Sequence, residues 1–206
     1  MNVEISSILQ NANSIGLILY LILPIILAGT LNMLFVKSRL FSRIHVPMDA
    51  GKCLSDGQPI FGANKTWKGF WGMIFFCALC FFVFGLIAQN NLTARELSLI
   101  PYESYNYSQL VLFGALWGLG YVLFELPNSF IKRRINIAPG KGGKKLSGII
   151  FNFVDQADSA LGCVIFLLIF YTPSFALWFS IFIVATAVHY LMNILLYVLR
   201  LKSSPW

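Results

Sequence analysis

Residues 159–199 carry no charged side chain over 41 positions. A helix crosses a hydrocarbon core about 30 Å thick in about 20 residues, so this run is too long for one crossing. Tyr171-Thr172-Pro173-Ser174 supplies a break, and the run divides into two spans, at about 149–171 and 174–199. Upstream, residues 15–36 form a charge-free run of 22 residues that contains Pro24. Residues 69–88 form a second, Phe-rich span. A third covers about 108–131, interrupted late by Pro127. Charged residues make up only 11% of the chain, against about 25% in a soluble domain. The expectation is an all-α integral membrane protein of five transmembrane helices, one polytopic domain over residues 1–206.

The cations orient that bundle. Lys37, Arg39, Arg43, Lys52, Lys65 and Lys68 lie in the loop 37–68. Lys132, Arg133, Arg134, Lys141, Lys144 and Lys145 lie in the loop 132–148, and Arg200 and Lys202 in the tail. With five spans, fourteen of the fifteen cations fall on one side, and the other keeps only Arg95. The positive-inside rule then places the N-terminus outside, and both basic loops and the C-terminus in the cytoplasm. The N-terminus, MNVEISS, lacks a positive n-region, so the first run reads as a retained span. Cys77-Ala-Leu-Cys80 has no cluster of further thiolate or histidine ligands around it and reads as small core residues.

Asp155 and Asp158 stand at i and i+3, so their carboxylates share one helix face near the cytoplasmic end of the fourth span. Two hard oxygen ligands plus substrate phosphates are the usual way a protein holds Mg²⁺. The alternative is that each aspartate pairs with a nearby lysine to orient helices. Two such carboxylates, with Gly162 close after and a cationic loop before, favour the metal. Glu125, Asn128, Ser129 and Lys132 share a face at the end of the third span. Pro127 among them removes a backbone donor, and such irregularity at membrane depth lines polar cavities. Glu125 is a further ligand, a hydrogen-bond acceptor or an ion-pair partner of Lys132. In the first loop, glycines lead into a helix start carrying Asn64, Lys65, Thr66 and Lys68, an anion-binding arrangement. It is not a Walker loop, because the spacing is wrong. The flap 139–145 either covers a triphosphate or touches anionic head groups. His189, Tyr190 and Asn193 read as hydrogen-bonding positions between helices.

Three motifs carry a resemblance: Phe61-Gly62-x-Asn64-Lys65-Thr66-Trp67-Lys68-Gly69, Glu125-Leu126-Pro127-Asn128-Ser129-Phe130-x-Lys132-Arg133 and Asp155-Gln156-x-Asp158-Ser159. Together they resemble the CDP-archaeol synthase family, membrane CTP:phospholipid cytidylyltransferases related to the phosphatidate cytidylyltransferases. The wider phosphatidate cytidylyltransferase signature fits only in part, and Gln156 stands where its arginine is usual. The resemblance implies transfer of CMP from CTP to a lipid phosphate, archaetidic or phosphatidic acid-like, with release of pyrophosphate. On that basis Asp155 and Asp158 are expected to hold Mg²⁺, and they form the catalytic group with Lys132 and Glu125. Asn64, Lys65, Thr66, Lys68, Asn128, Ser129 and Arg133 are the expected substrate-binding residues. The implied partners are CTP, a lipid phosphate and the bilayer, without nucleic acid. The implied location is the cell membrane, with the site on its cytoplasmic side. Two rivals compete: a transporter or channel for an anionic solute, and a CDP-alcohol phosphotransferase, whose longer multi-aspartate motif is absent.

Overall fold

A computed structural model describes the backbone of residues 2–139 and 146–200, and side chains over 15–139, 151 and 153–200. The described residues form six α-helices: α1 (Asn2–Lys37), α2 (Trp67–Asn90), the short α3 (Leu92–Glu96), α4 (Tyr107–Arg134), α5 (Leu146–Leu167) and α6 (Phe175–Val198). No strand occurs among them beyond two isolated bridges, Pro47 with Thr66 and Cys53 with Pro59. Four segments are long and apolar enough to cross a membrane: Ile15–Lys37, Trp67–Asn90, Tyr107–Arg134 and Phe175–Val198. The protein is therefore an all-helical membrane protein. α5 has 22 residues, about 33 Å at 1.5 Å per residue.

Local chemistry sets the ends. Thr66 caps α2 by accepting from Gly69 N. Asn106 and Gln109 form a reciprocal capping box at the start of α4, and Ser174 caps α6. Each satisfies donors that a helix start leaves open. Pro127 does not interrupt its helix, because α4 continues through it to Arg134. One missing donor is a smaller loss than a broken helix in lipid, where every freed backbone group needs a partner.

α2 packs on α1 and α4, α4 on α5, and α5 on α6. Phe81, Trp117, Leu110 and Leu167 are buried at its centre. Trp117 Nε1 donates to Cys163 O at 2.8 Å, so the indole finds its acceptor without leaving the core. At the end away from the basic loops, Gln89 Nε2 donates to Tyr102 O and Tyr105 O at 2.9 and 2.8 Å, and the Tyr105 hydroxyl donates to Phe170 O.

Glycines let the helices approach. A Cβ on Gly118 would lie 2.9 Å from Ile74 Cα of α2, and one on Gly162 would lie 2.2 Å from the backbone oxygen of Gly120 on α4. Neither neighbour can swing aside, since both are main chain. Small residues at such crossings are what membrane helix packing requires. Gly162→Ala is therefore expected to destabilise the bundle by about 2 kcal/mol through overpacking. Gly16→Ala, with nothing within 4 Å, leaves stability unchanged. Unfolding of the two variants in detergent compares them directly.

Candidate active site

The C-terminal turns of α4 and the middle of α5 meet in a polar cluster. Asn128, on α4, points its Nδ2 at both carboxylates of α5: it donates to Asp155 Oδ1 at 2.5 Å and Asp158 Oδ2 at 2.7 Å. Asp155 Oδ2 takes the Lys132 ammonium, and Asp158 Oδ1 accepts from Ser159 N at 2.5 Å. Helical spacing explains the match. Asn128 and Lys132 are one turn apart on α4, and Asp155 and Asp158 are one turn apart on α5. Asn128 is 5% exposed, and its Oδ1 has no hydrogen-bond partner. That leaves a hard, unpaired oxygen beside two carboxylates.

Glu125 pairs with Lys65 at 2.5 Å rather than with Lys132, so the sequence alternative of a Glu125–Lys132 pair is not what forms. The reason is reach: the first loop delivers Lys65 beside Glu125, and Asp155 takes Lys132. Burial works against the Lys65 ammonium, but Glu125, with Asp158 and Asp155 beyond it, outweighs that and raises its pKa. Lys65 is held charged.

The other predicted residues divide. Ser129 is buried beside Asn128. Arg133 is 4% exposed, donates to Ile137 O and keeps an unpartnered Nε. Asn64, Lys65 and Thr66 line the cavity described below, and Thr66 also serves as the α2 cap. Lys68 is not with them. It is fully buried, its Nζ donates to Ser38 O at 2.9 Å, and it lies 4.7 Å from the Phe35 ring centroid. The free carbonyls and negative dipole end of α1 attract that cation. Of the flap 139–145, only Pro139 falls within the described residues.

Two residues escaped the sequence reading. Asp49 is buried in the first loop, and its carboxylate accepts from Phe61 N, Gly62 N and Gly51 N at 2.9, 2.8 and 3.0 Å. Arg134 straps the same loop to α4, reaching Asp56 at 3.0 Å and the carbonyls of Gln58 and Pro59 at 3.0 and 2.5 Å. A lone aspartate in a turn-rich loop carries no spacing signal, and Arg134 was hidden in a run of cations.

A cavity of about 540 Å³ adjoins the cluster and is lined from α1, α2, α4, α5 and α6. Glu125, Lys65 and Asn64 give it a polar side, whereas Ile22, Met73 and Ile181 are among its apolar walls. The donors near Asp155 are hard oxygens, suited to Mg²⁺ rather than to a soft metal. Among the described residues no group of three His, Cys, Asp or Glu side chains gathers as a cation site. The carboxylate pair would supply only part of a shell, and phosphate oxygens suit the rest.

A bundle of apolar helices with cations and paired carboxylates beside an apolar cavity defines a class, polytopic membrane proteins that handle an anionic group next to lipid. The comparisons narrow it. The family model described as CDP-archaeol synthase, CarS-like, matches residues 12–206. The CDP-archaeol synthase of Methanoculleus marisnigri is 32% identical over 78% of this chain and 89% of that protein. That of Pyrococcus furiosus is 31% identical over 78% and 83%, and that of Thermofilum pendens 30% over 97% and 85%. A solved structure of an intramembrane enzyme for archaeal membrane lipids biosynthesis superposes with a TM-score of 0.55 at 22% identity, over 85% of this chain and 92% of that one, so the two share a fold. The chain belongs to the CDP-archaeol synthase family.

Burial alone pushes the Asp49 carboxyl up, yet the N–H groups of Gly62, Phe61 and Gly51 outweigh it and hold the group below the ordinary carboxylate range. A depressed folded pKa gives stability that is present at neutral pH and lost as pH falls through that pKa. Asp49→Asn is expected to destabilise by about 2 kcal/mol at pH 7. The gap to the parent protein closes below about pH 4. Thermal unfolding of both proteins across that pH range shows whether it does.

Proposed function

We infer that the chain is a CTP-dependent cytidylyltransferase, moving CMP from CTP to a membrane lipid phosphate and releasing pyrophosphate for phospholipid biosynthesis. The observation that carries the site assignment is the pair of hydrogen bonds that Asn128 Nδ2 donates to Asp155 and Asp158, with Lys132 and Lys65 in the same cluster. An oxygen of the lipid phosphate attacks the α-phosphorus of CTP as the bond from that phosphorus to the α–β bridging oxygen breaks. The nucleophile is already anionic near neutral pH, so the protein needs no strong base. Its task is alignment and charge neutralisation.

Asp155 and Asp158, with Asn128 Oδ1, would hold Mg²⁺. That ion supplies positive charge to the phosphate oxygens. Lys132 exchanges part of its contact with Asp155 for substrate oxygens, and Lys65 does the same from Glu125. Arg133, through its unpartnered Nε, adds a further cation at the end of α4. Asn64 and Thr66 orient oxygens at the cavity rim, and Ser129 supports Asn128. Lys68 acts from underneath, fixing the start of α2 against the end of α1. The lipid tails occupy the cavity between the helices, which leaves the phosphate at its polar side.

α5 supplies the remaining crossing, the fourth in chain order, at 149–171 in the span scheme. It joins spans at 15–36, 69–88, 108–131 and 174–199 in one domain with loops at 37–68 and 132–148. The charge distribution supports an outside N-terminus, a cytoplasmic C-terminus and a site on the cytoplasmic face of the cell membrane. The rival reading, passage of an anionic solute, finds no support: the chain belongs to an enzyme family, and its cations gather at one end.

Incubating the purified protein with labelled CTP, Mg²⁺ and lipid phosphates is expected to yield lipid-linked CMP and free pyrophosphate. Ether and acyl lipid phosphates run side by side rank the tails. Asp155→Asn is expected to lower turnover by about two orders of magnitude or more while the protein stays folded. Full activity in that variant rejects the assignment of the carboxylate pair.

A further inference from the structure

The carboxylates are aimed from α4, but α5 is held from its other side as well. Gln156 and Ser159, i and i+3, are 2% and 0% exposed and face α6. Gln156 Oε1 accepts from Asn193 Nδ2 at 2.5 Å. His189 Nδ1 lies 3.2 Å from the Gln156 carbonyl and 3.2 Å from Ser159 Oγ, while Nε2 lies 3.4 Å from the Tyr121 hydroxyl. A carbonyl oxygen can only accept, so Nδ1 carries the proton and Nε2 faces Tyr121 as an acceptor. His189 and Asn193 are one turn apart on α6 and grip positions one turn apart on α5.

We propose that His189 and Asn193 are positioning residues, a stop from α6 that fixes the rotation of α5 about its axis and so the aim of Asp155 and Asp158. Successive helix residues are turned by about 100°, so Gln156 and Ser159 present a face about a quarter turn from the one bearing the aspartates. Fixing one face fixes the other. Lipid-embedded helices lack a hydrophobic drive toward each other, since lipid tails are equally apolar, so close packing and side-chain hydrogen bonds between them set their register. α6 has few other buried anchors, Ile181 and Thr186 among them. His189 and Asn193 both line the cavity, and hydrogen bonds join them to Gln156 and Ser159 of α5. Their influence on the reaction runs through α5.

The inference rests on the metal reading of the carboxylate pair, and the test separates the two. Asn193→Leu, His189→Phe and Asp155→Asn are compared with the parent protein in detergent. Mn²⁺ binding is followed by its EPR signal without nucleotide, and turnover is measured per folded enzyme. Residues that orient metal ligands typically change affinity or activity about 10-fold or more when lost. Asn193→Leu and His189→Phe are expected to weaken Mn²⁺ binding and lower kcat by about that factor. The exchanged pair Gln156→Asn with Asn193→Gln keeps the summed side-chain length, and it is expected to recover most of both. If Asp155→Asn loses Mn²⁺ but the two α6 variants bind it as the parent does, the positioning role is wrong and the metal reading stands. If the α6 variants raise only the KM for lipid phosphate, these residues are cavity wall and the proposal fails. A loss of folded protein with unchanged kcat and Mn²⁺ affinity also overturns it. Unchanged Mn²⁺ binding in Asp155→Asn removes the metal reading and this inference with it.

Discussion

Two carboxylates on one turn of a membrane helix are a liability unless something meets them. Here a single amide does most of it: Asn128 gives hydrogen bonds to Asp155 and Asp158, and Lys132 takes the remaining edge of Asp155. Removing a charge from water in such a place is repaid only by close partners with good geometry. That condition dictates the packing. Asn128 reaches α5 only if α4 and α5 lie close, and they lie close because Gly120 and Gly162 put backbone against backbone. Polar satisfaction and helix packing are one constraint seen from two sides.

The first loop is the other half of the cluster, and it is built rather than slack. Asp49 gathers three backbone N–H groups across a gap of twelve residues in sequence, a substitute for the strand pairing the loop largely lacks. Gly62, at φ +96°, permits the turn there, and a Cβ on it would collide with Pro139. Lys68 pins the loop's exit to the carbonyls that end α1, and Arg134 straps its tip to α4. Lys65 therefore arrives at Glu125 on a fixed frame. On the proposed reading its ammonium is in place before an anion arrives and has only to exchange part of the Glu125 contact, so little reorganisation is needed.

How much of this was readable in the residues depends on range. Helix positions followed from runs of apolar residues, because lipid demands long helices and tolerates little else. The pairing of Asp155 with Asp158, and of Asn128 with Lys132, followed from i, i+3 and i, i+4 spacing. What spacing cannot convey is which side chain of one element meets which of another. Glu125 was open to Lys132 by local spacing but goes to Lys65, sixty positions away. Lys68 looked equivalent to Lys65, three residues earlier, yet one turn of helix sends it beneath the loop. Asp49 had no partner within any local pattern. Pro127 read as an interruption, because its effect on one hydrogen bond is local whereas the reason the helix survives it is not.

The division of the site into a charged end and an apolar cavity also bears on what it can select. A site built from buried donors and cations discriminates strongly, since a ligand lacking the matching anion leaves those groups unpaired. An apolar wall discriminates weakly, with about 1–3 kcal/mol for each methylene gained or lost. On the proposed reading, Asn128, Lys132, Arg133 and Lys65 hold the selectivity for phosphate. On the same reading, cavity side chains such as Ile22, Met73 and Ile181 grade the tails by fit. The same fold can accordingly keep its headgroup chemistry while tolerating change in the lipid, provided the α4–α5 contact that aims the carboxylates is left untouched.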